Sequence, residues 1–164
     1  MNPEDKIELR KIGLENVWKT VKLKVNPEQE TFVASNVESI IEAYATQADG
    51  YIAIPLTIYC GDTPVGFVML GDGDTGEDEV PDYAMNNYCL WRFMIDKNFQ
   101  RQGLGRKALN AVLDYVRTDP CGHADCLWTS YEPSNSVARA LYLSFGFEEN
   151  GDQVDGEDVA ILKL

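Results

Sequence analysis

The 164 residues predict an α/β (α+β mixed) fold in which helices pack on one mixed sheet. Three observations support this. Apolar runs of strand length alternate with stretches of helical spacing. A unit of strand, glycine turn and helix occupies the middle of the chain, over 90–106. No internal repeat, low-complexity tract or linker interrupts the pattern, so the expectation is a single domain over 1–164 with room for a real core.

Taken in order, alternation over 7–12 predicts a short edge strand. Asn16 stands where an N-cap would open a short helix over 17–25, ended by Asn26-Pro27. Residues 28–46 predict a second helical region. Its apolar set, Val33, Val37, Ile40, Ile41 and Tyr44, follows three-and-four spacing, with Ser35 or Asn36 capping a break inside it. A hairpin follows, with strands over 55–60 and 65–70 around Gly61-Asp62-Thr63-Pro64. The loop over 71–85 carries Asp72, Asp74, Glu77, Asp78, Glu79 and Asp82 with no basic residue. It fails as a calcium loop because Tyr83 stands where the last bidentate carboxylate belongs.

The run over 90–95 has the apolar, aromatic composition of a central strand. Helical spacing resumes over 103–118, with Leu104, Ala108, Ala111, Val112 and Tyr115 on one face, closed by Asp119-Pro120-Cys121-Gly122. A strand is expected over 127–131. Glu132-Pro133-Ser134-Asn135 then leads into a helix bearing Val137, Ala138, Leu141, Tyr142 and Phe145, stopped by Gly146. Strands over 147–150 and 158–164 close the chain around an acidic turn.

Bulk properties narrow the class. Hydrophobic content of 45% and charged content of 25% suit a globular protein, and no apolar run approaches a membrane span. With no basic-then-apolar layout at the N-terminus, the expected location is cytoplasmic. A net charge of −13 argues against nucleic acid and anionic membrane and favours a cationic partner. Cys60 and Cys89 read as small core residues. Cys121, His123 and Cys126 match no zinc spacing, so no metal is expected.

The chemistry concentrates in Gln100-Arg101-Gln102-Gly103-Leu104-Gly105-Arg106. A glycine turn that feeds a helix leaves backbone N–H groups pointing outward, and the macrodipole adds about half a positive charge there. That is an anion site suited to a pyrophosphate. No Lys-Ser/Thr follows the glycines and no third glycine is spaced after them, which excludes a nucleoside-triphosphate loop and a dinucleotide fingerprint.

This turn, after its apolar strand, resembles the acetyl-CoA-binding motif of the GNAT N-acetyltransferases. Asn135, Ala138, Leu141, Tyr142, Gly146 and Phe147 resemble the family's second signature. Leu90 to Asp96, with Ser130-Tyr131-Glu132-Pro133, is similar to bacterial spermine/spermidine (diamine) acetyltransferases. The resemblance implies a single mixed, mostly antiparallel central sheet flanked by helices, and acetyl-CoA as co-substrate. It implies that backbone groups of Phe93, Met94 and Ile95 hold the pantetheine arm and thioester. It further implies that the turn from Gln100 through Arg101, Gln102, Gly103, Leu104 and Gly105 to Arg106 cradles the pyrophosphate. Asn135 would support the cofactor and Tyr142 would protonate the leaving thiolate. A homodimer is also suggested.

On the acceptor side the expected reaction is direct attack by a free amine, with a polyamine as the leading substrate. An aminoglycoside, a protein N-terminus, or a silent CoA-binding module are the alternatives. Glu38 and Glu42, four apart on a helix, share a face in the region that forms the acceptor wall in the family. Trp91 and Asp96 join them as candidates for substrate binding. Cys89 stands where some relatives carry a glutamate base. Deprotonation of the amine therefore falls to Glu132, Asp96 or ordered water, with water preferred.

Overall fold

The computed structural model describes residues 6–71 and 81–164. Seven strands form one sheet in the order β1-β2-β3-β4-β5-β7-β6. The strands are β1 (Ile7–Lys11), β2 (Ala53–Cys60), β3 (Thr63–Gly71), β4 (Tyr88–Ile95), β5 (Cys126–Tyr131), β6 (Glu148–Val154) and β7 (Glu157–Lys163). The helices are α1 (Val17–Thr20), α2 (Asn36–Ala48), α3 (Leu104–Val116) and α4 (Ser136–Leu143). Every neighbouring pair is antiparallel except β4 with β5. The sheet is thus mixed and mostly antiparallel, as expected. Most of the acidic run from Asp72 lies outside the described residues, and Asp82 at its far end is exposed.

The strands are longer than apolar composition suggested, for a local reason. At the β6–β7 turn Asp155 and Gly156 both take positive φ, 52° and 86°. That pair is the preferred two-residue hairpin turn, and it carries the ladder through residues too polar to read as strand.

The helices depart further. The stretch expected as a helix over 17–25 is helical only through Thr20. Asn16 does not cap it: its Oδ1 accepts from the Gly13 N–H and its Nδ2 donates to the Lys11 carbonyl, which ties the entry to β1. The region over 28–46 divides into a 3-10 turn at Pro27–Gln29 and α2, with a break where Ser35 stands. There Ser35 and Glu38 exchange hydrogen bonds in a capping box.

Its orientation keeps part of the expected apolar set, with Val33 and Ile40 packed on the core, and gives up the rest. Val37, Ile41 and Tyr44 are exposed, while Asn36, Ser39 and Ala43 face the sheet. Asn36 explains this, because its amide donates to the carbonyls of Thr20 and Leu23 where α1 unravels. A buried amide must find partners, and these two bonds hold Asn36 on the inner side of α2.

Two cores result. One lies on the α3 and α4 side, where Leu104, Ala108 and Val112 are joined by Leu109, Leu113 and Val116. The other lies under α2, with Ala43, Phe67, Met69 and Met94.

The centre of the sheet is irregular. Along β3 and β4, Met69 pairs with Arg92 and Leu70 with Leu90, so Trp91 is one residue too many. This β-bulge bends the strand and turns both Trp91 and Arg92 toward α2. Beyond it β4 leaves β5. Only Tyr88–Leu127 and Cys89–Trp128 pair, whereas β5 pairs with β7 along its whole length.

Candidate active site at the opened strand edge

The separation of β4 and β5 leaves one edge of β4 unpaired from Trp91 onward. Which backbone groups face it follows from the ladder. The Asp96 N–H donates to the Val65 carbonyl on β3. Antiparallel strands alternate, so Met94 also turns its backbone toward β3, and Phe93 and Ile95 turn theirs to the open edge. Gly66 agrees with this: a Cβ there would collide with the Met94 carbonyl oxygen. Of the three residues expected to offer backbone partners, Phe93 and Ile95 do so and Met94 does not, although it lines the cleft. The Ile95 carbonyl already accepts from Gln100 Nε2 at 2.9 Å.

A cleft of about 520 Å³ runs along this edge, walled by Phe93, Ile95, Arg101, Gly105, Asn135 and Tyr142 among others. Its far wall is the loop before α2, including Asn26, Gln29, Phe32 and Val33. The helical region expected over 28–46 covers most of that loop. The signal for it was Asn26-Pro27 followed by Gln29, a box in which each side chain meets the other's backbone. Gln100 seats the loop, since its Nε2 also donates to Gln29 Oε1 and its Oε1 accepts from Asn26 Nδ2. Gln100 thus positions both walls rather than meeting a phosphate.

At one end of the cleft the turn leads into α3. Arg101 and Gly103 take positive φ, 59° and 76°, and Gly103 is the N-cap. The first-turn N–H groups of α3 have no carbonyl of their own helix to bond. A Cβ on Gly103 would meet nothing within 4 Å, so the space above it is open to a ligand. Leu104 turns its side chain into the core and can offer only its N–H. Gln102 donates to the Asn98 carbonyl, while Arg106 donates to Ser144 Oγ and lies over the Phe145 ring, bracing α3 against the end of α4.

Across the cleft, Asn135 caps α4 by accepting the Ala138 N–H at 3.1 Å. Two turns on from that cap, Tyr142 is 5% exposed and packs between the Tyr131 and Phe147 rings. Burial pushes its phenol up to about 12, with the Thr129 hydroxyl pulling weakly the other way. At neutral pH Tyr142 is a protonated donor lining the cleft.

The remaining candidates lie elsewhere. Asp96 is buried with both oxygens engaged, Oδ2 by the Lys24 N–H and Oδ1 by the backbone and side chain of Asn98. That geometry makes it a clamp for the loop. Glu132 is half-buried at the end of β5 and does not line the cleft. Glu38 is occupied in its capping box, which with the more distant Arg92 holds its carboxyl below the ordinary range. Glu42 pairs with Arg92 at 3.2 Å. Trp91 packs into the core under α2. Among the described residues no group of three or more metal-type side chains comes together, and Cys121, His123 and Cys126 stay apart from the cleft.

The family model for the acetyltransferase (GNAT) family matches residues 18–147. The chain belongs to the GNAT acetyltransferase family. It is an acetyl-CoA-dependent N-acetyltransferase, and the glycine cradle, the open strand edge and the protonated Tyr142 fit that acyl donor. The chain is 33% identical over 116 residues to a probable spermine N(1)-acetyltransferase of Bacillus subtilis subsp. natto, covering 67% of this chain and 70% of that one. It is 32% identical over 89 residues to the ribosomal protein bS18-alanine N-acetyltransferase of Escherichia coli, covering 54% and 58%. In fold it is similar to aminoglycoside acetyltransferase AAC(6')-Ib in complex with coenzyme A, with a TM-score of 0.76 over 96% of this chain and 95% of that one, at 16% identity.

The cradle yields a direct prediction. Gly103→Asp places a carboxylate in the open space above the α3 N-terminus, at a φ that Asp tolerates better than most residues. CoA affinity measured by calorimetry should fall by about tenfold or more, the scale of one lost charge-assisted contact. Gly103→Asn, equal in bulk and uncharged, should lose much less. Equal and unchanged affinity in both would remove this turn from the phosphate site.

Proposed function

We infer that the chain acetylates a primary amine, and that the amine is a polyamine such as spermine or spermidine. The observation that carries the transfer reading is the position of Tyr142: a buried, protonated tyrosine that lines the cleft running along the unpaired edge of the central strand. Bound acetyl-CoA supplies the thioester carbon that the amine nitrogen attacks, forming the amide as the carbon–sulfur bond breaks. Phe93 and Ile95 hold the arm through their outward backbone groups. Tyr142 Oη gives its proton to the departing sulfur.

The amine must arrive deprotonated. An alkyl amine near pKa 10.4 is about 99.9% protonated at pH 7. With Asp96 engaged and Glu132 off the cleft, ordered water is the preferred acceptor of that proton.

The polyamine reading is supported by the similarity to the Bacillus spermine acetyltransferase and by the net charge of −13. The similarity to the bS18-alanine enzyme favours a peptide N-terminus as second reading, over a smaller part of the chain.

Two outcomes are expected. Tyr142→Phe keeps the ring between Tyr131 and Phe147, so the fold and CoA affinity should persist while kcat falls by about 10²-fold or more. Because burial raises this phenol, the parent's kcat should show no alkaline decline at pH 9, where an ordinary tyrosine near 10 already begins to ionise. An unchanged kcat in the variant removes Tyr142 from the reaction. For the acceptor, thiol release should be faster with spermine or spermidine than with a monoamine. The KM for spermine should rise with salt as the Debye length shrinks from about 10 Å at 0.1 M to about 3 Å at 1 M. A monoamine acetylated as fast, with a KM indifferent to salt, sinks the polyamine assignment.

A further inference from the structure

Tyr142 has to give up a proton while packed between two aromatic rings, and the group that reaches its hydroxyl comes from β5. Thr129 and Tyr131 are two apart on that strand, so their side chains leave the same face. Tyr131 stacks on the Tyr142 ring with 5.6 Å between centroids. That stacking brings the Thr129 hydroxyl, itself 1% exposed, within hydrogen-bonding reach of the Tyr142 phenol.

Thr129 also stands where the sheet opens. The β4–β5 ladder ends with the pair Cys89–Trp128, and Thr129 is the next residue. Its Oγ1 donates across the parting to the Leu90 carbonyl at 3.0 Å, with the Ser130 carbonyl farther off at 3.4 Å. Both of these groups are acceptors. A threonine hydroxyl has one proton and two lone pairs, so in the resting protein the proton goes to a carbonyl and a lone pair is left for the phenol. Tyr142 is therefore the donor in its pair with Thr129 before the reaction. Once the phenol has given its proton to sulfur the roles reverse, because a phenolate can only accept. The Thr129 hydroxyl accordingly favours the ionised phenol, against the burial that opposes it.

We propose that Thr129 is a positioning residue for Tyr142. In the resting protein its Oγ1 holds the phenol oxygen at the parting of the strands, and during transfer its proton turns from the Leu90 carbonyl to the new phenolate. The phenol O–H bond breaks as the S–H bond of CoA forms, and the proton that the amine passes to water restores the phenol, so the cycle closes. This rests on the reading that Tyr142 protonates the leaving sulfur. It adds that one hydroxyl both ends the β4–β5 ladder and serves the acid beside the opening.

Thr129→Val removes the hydroxyl and keeps the shape. Its kcat should fall roughly ten- to a hundredfold, as for one lost hydrogen bond to a charged group, while CoA affinity by calorimetry holds within about twofold. Thr129→Ser keeps the hydroxyl and should recover kcat to within about fivefold of the parent. The deciding measurement is Thr129→Val in a Tyr142→Phe background. With no phenol left to serve, it should there lower kcat by less than about twofold. An equal loss in both backgrounds is the mark of a structural role and overturns the proposal, as does an unchanged kcat in Thr129→Val with Tyr142 present. Should Thr129→Val fail to fold, Thr129→Cys, which keeps a weak S–H donor for the Leu90 carbonyl, takes its place under the same expectations. Tyr142→Phe alone separates the two readings. An unchanged kcat there sinks the acid and this proposal together, whereas a fall there with Thr129→Val unmoved sinks only the proposal.

Discussion

One extra residue in the central strand controls the rest of the structure. Trp91 has no partner on β3, and the bend it introduces carries β4 away from β5 after two paired residues. Strands side by side normally satisfy each other's backbone groups, so an interior edge left open is costly unless something pairs with it. Here the open groups belong to Phe93 and Ile95, and the cleft runs along them. The extended pantetheine arm of acetyl-CoA, with its own amides, is chemically suited to complete that edge as an added strand would. The bulge also decides the other face of the strand, because it turns Trp91 and Arg92 together toward α2.

The walls of the cleft are fixed by polar contacts more than by apolar packing. Gln100 joins the end of β4 to the loop holding Asn26 and Gln29, and Asp96 clamps the backbone at Lys24 to the same strand end. Asn36 and the Thr20–Thr57 hydroxyl pair hold α2 and α1 against the sheet. Across the cleft Arg139 and Tyr131 both bond Glu149, tying α4 to β5 and β6 behind Tyr142 and holding the Glu149 carboxyl down at about 2. Such contacts have one geometry each, which suits a site whose two walls come from distant parts of the chain.

Much of this was legible in the sequence because it is local. The glycine turn opening α3, the Asn135 cap and the break at Ser35 each follow from residues within a few positions of one another. So does the face that α3 presents, apart from a rotation toward Leu109, Leu113 and Val116. What escaped depends on partners far away. The Trp91 bulge belongs to a pair of strands and leaves no mark in β4 alone. The outward Val37, Ile41 and Tyr44 follow the helical period, yet the inner side of α2 carries Asn36, whose amide is satisfied by the distant Thr20 and Leu23 carbonyls. Asp96 and Glu38 look like free carboxylates in the sequence and prove to be bound by backbone N–H groups, and Glu42 by Arg92.

The central claim is that the Phe93 and Ile95 backbone is an edge waiting for the cofactor, while Met94 is paired within the sheet. Residue-resolved amide hydrogen exchange with and without CoA tests this most directly. Met94 should be protected in the free protein, and Phe93 and Ile95 should exchange fast there and slow sharply when CoA is added. Exchange at Phe93 and Ile95 that is already slow without CoA, or that CoA leaves unchanged while the cofactor demonstrably binds, would contradict the account.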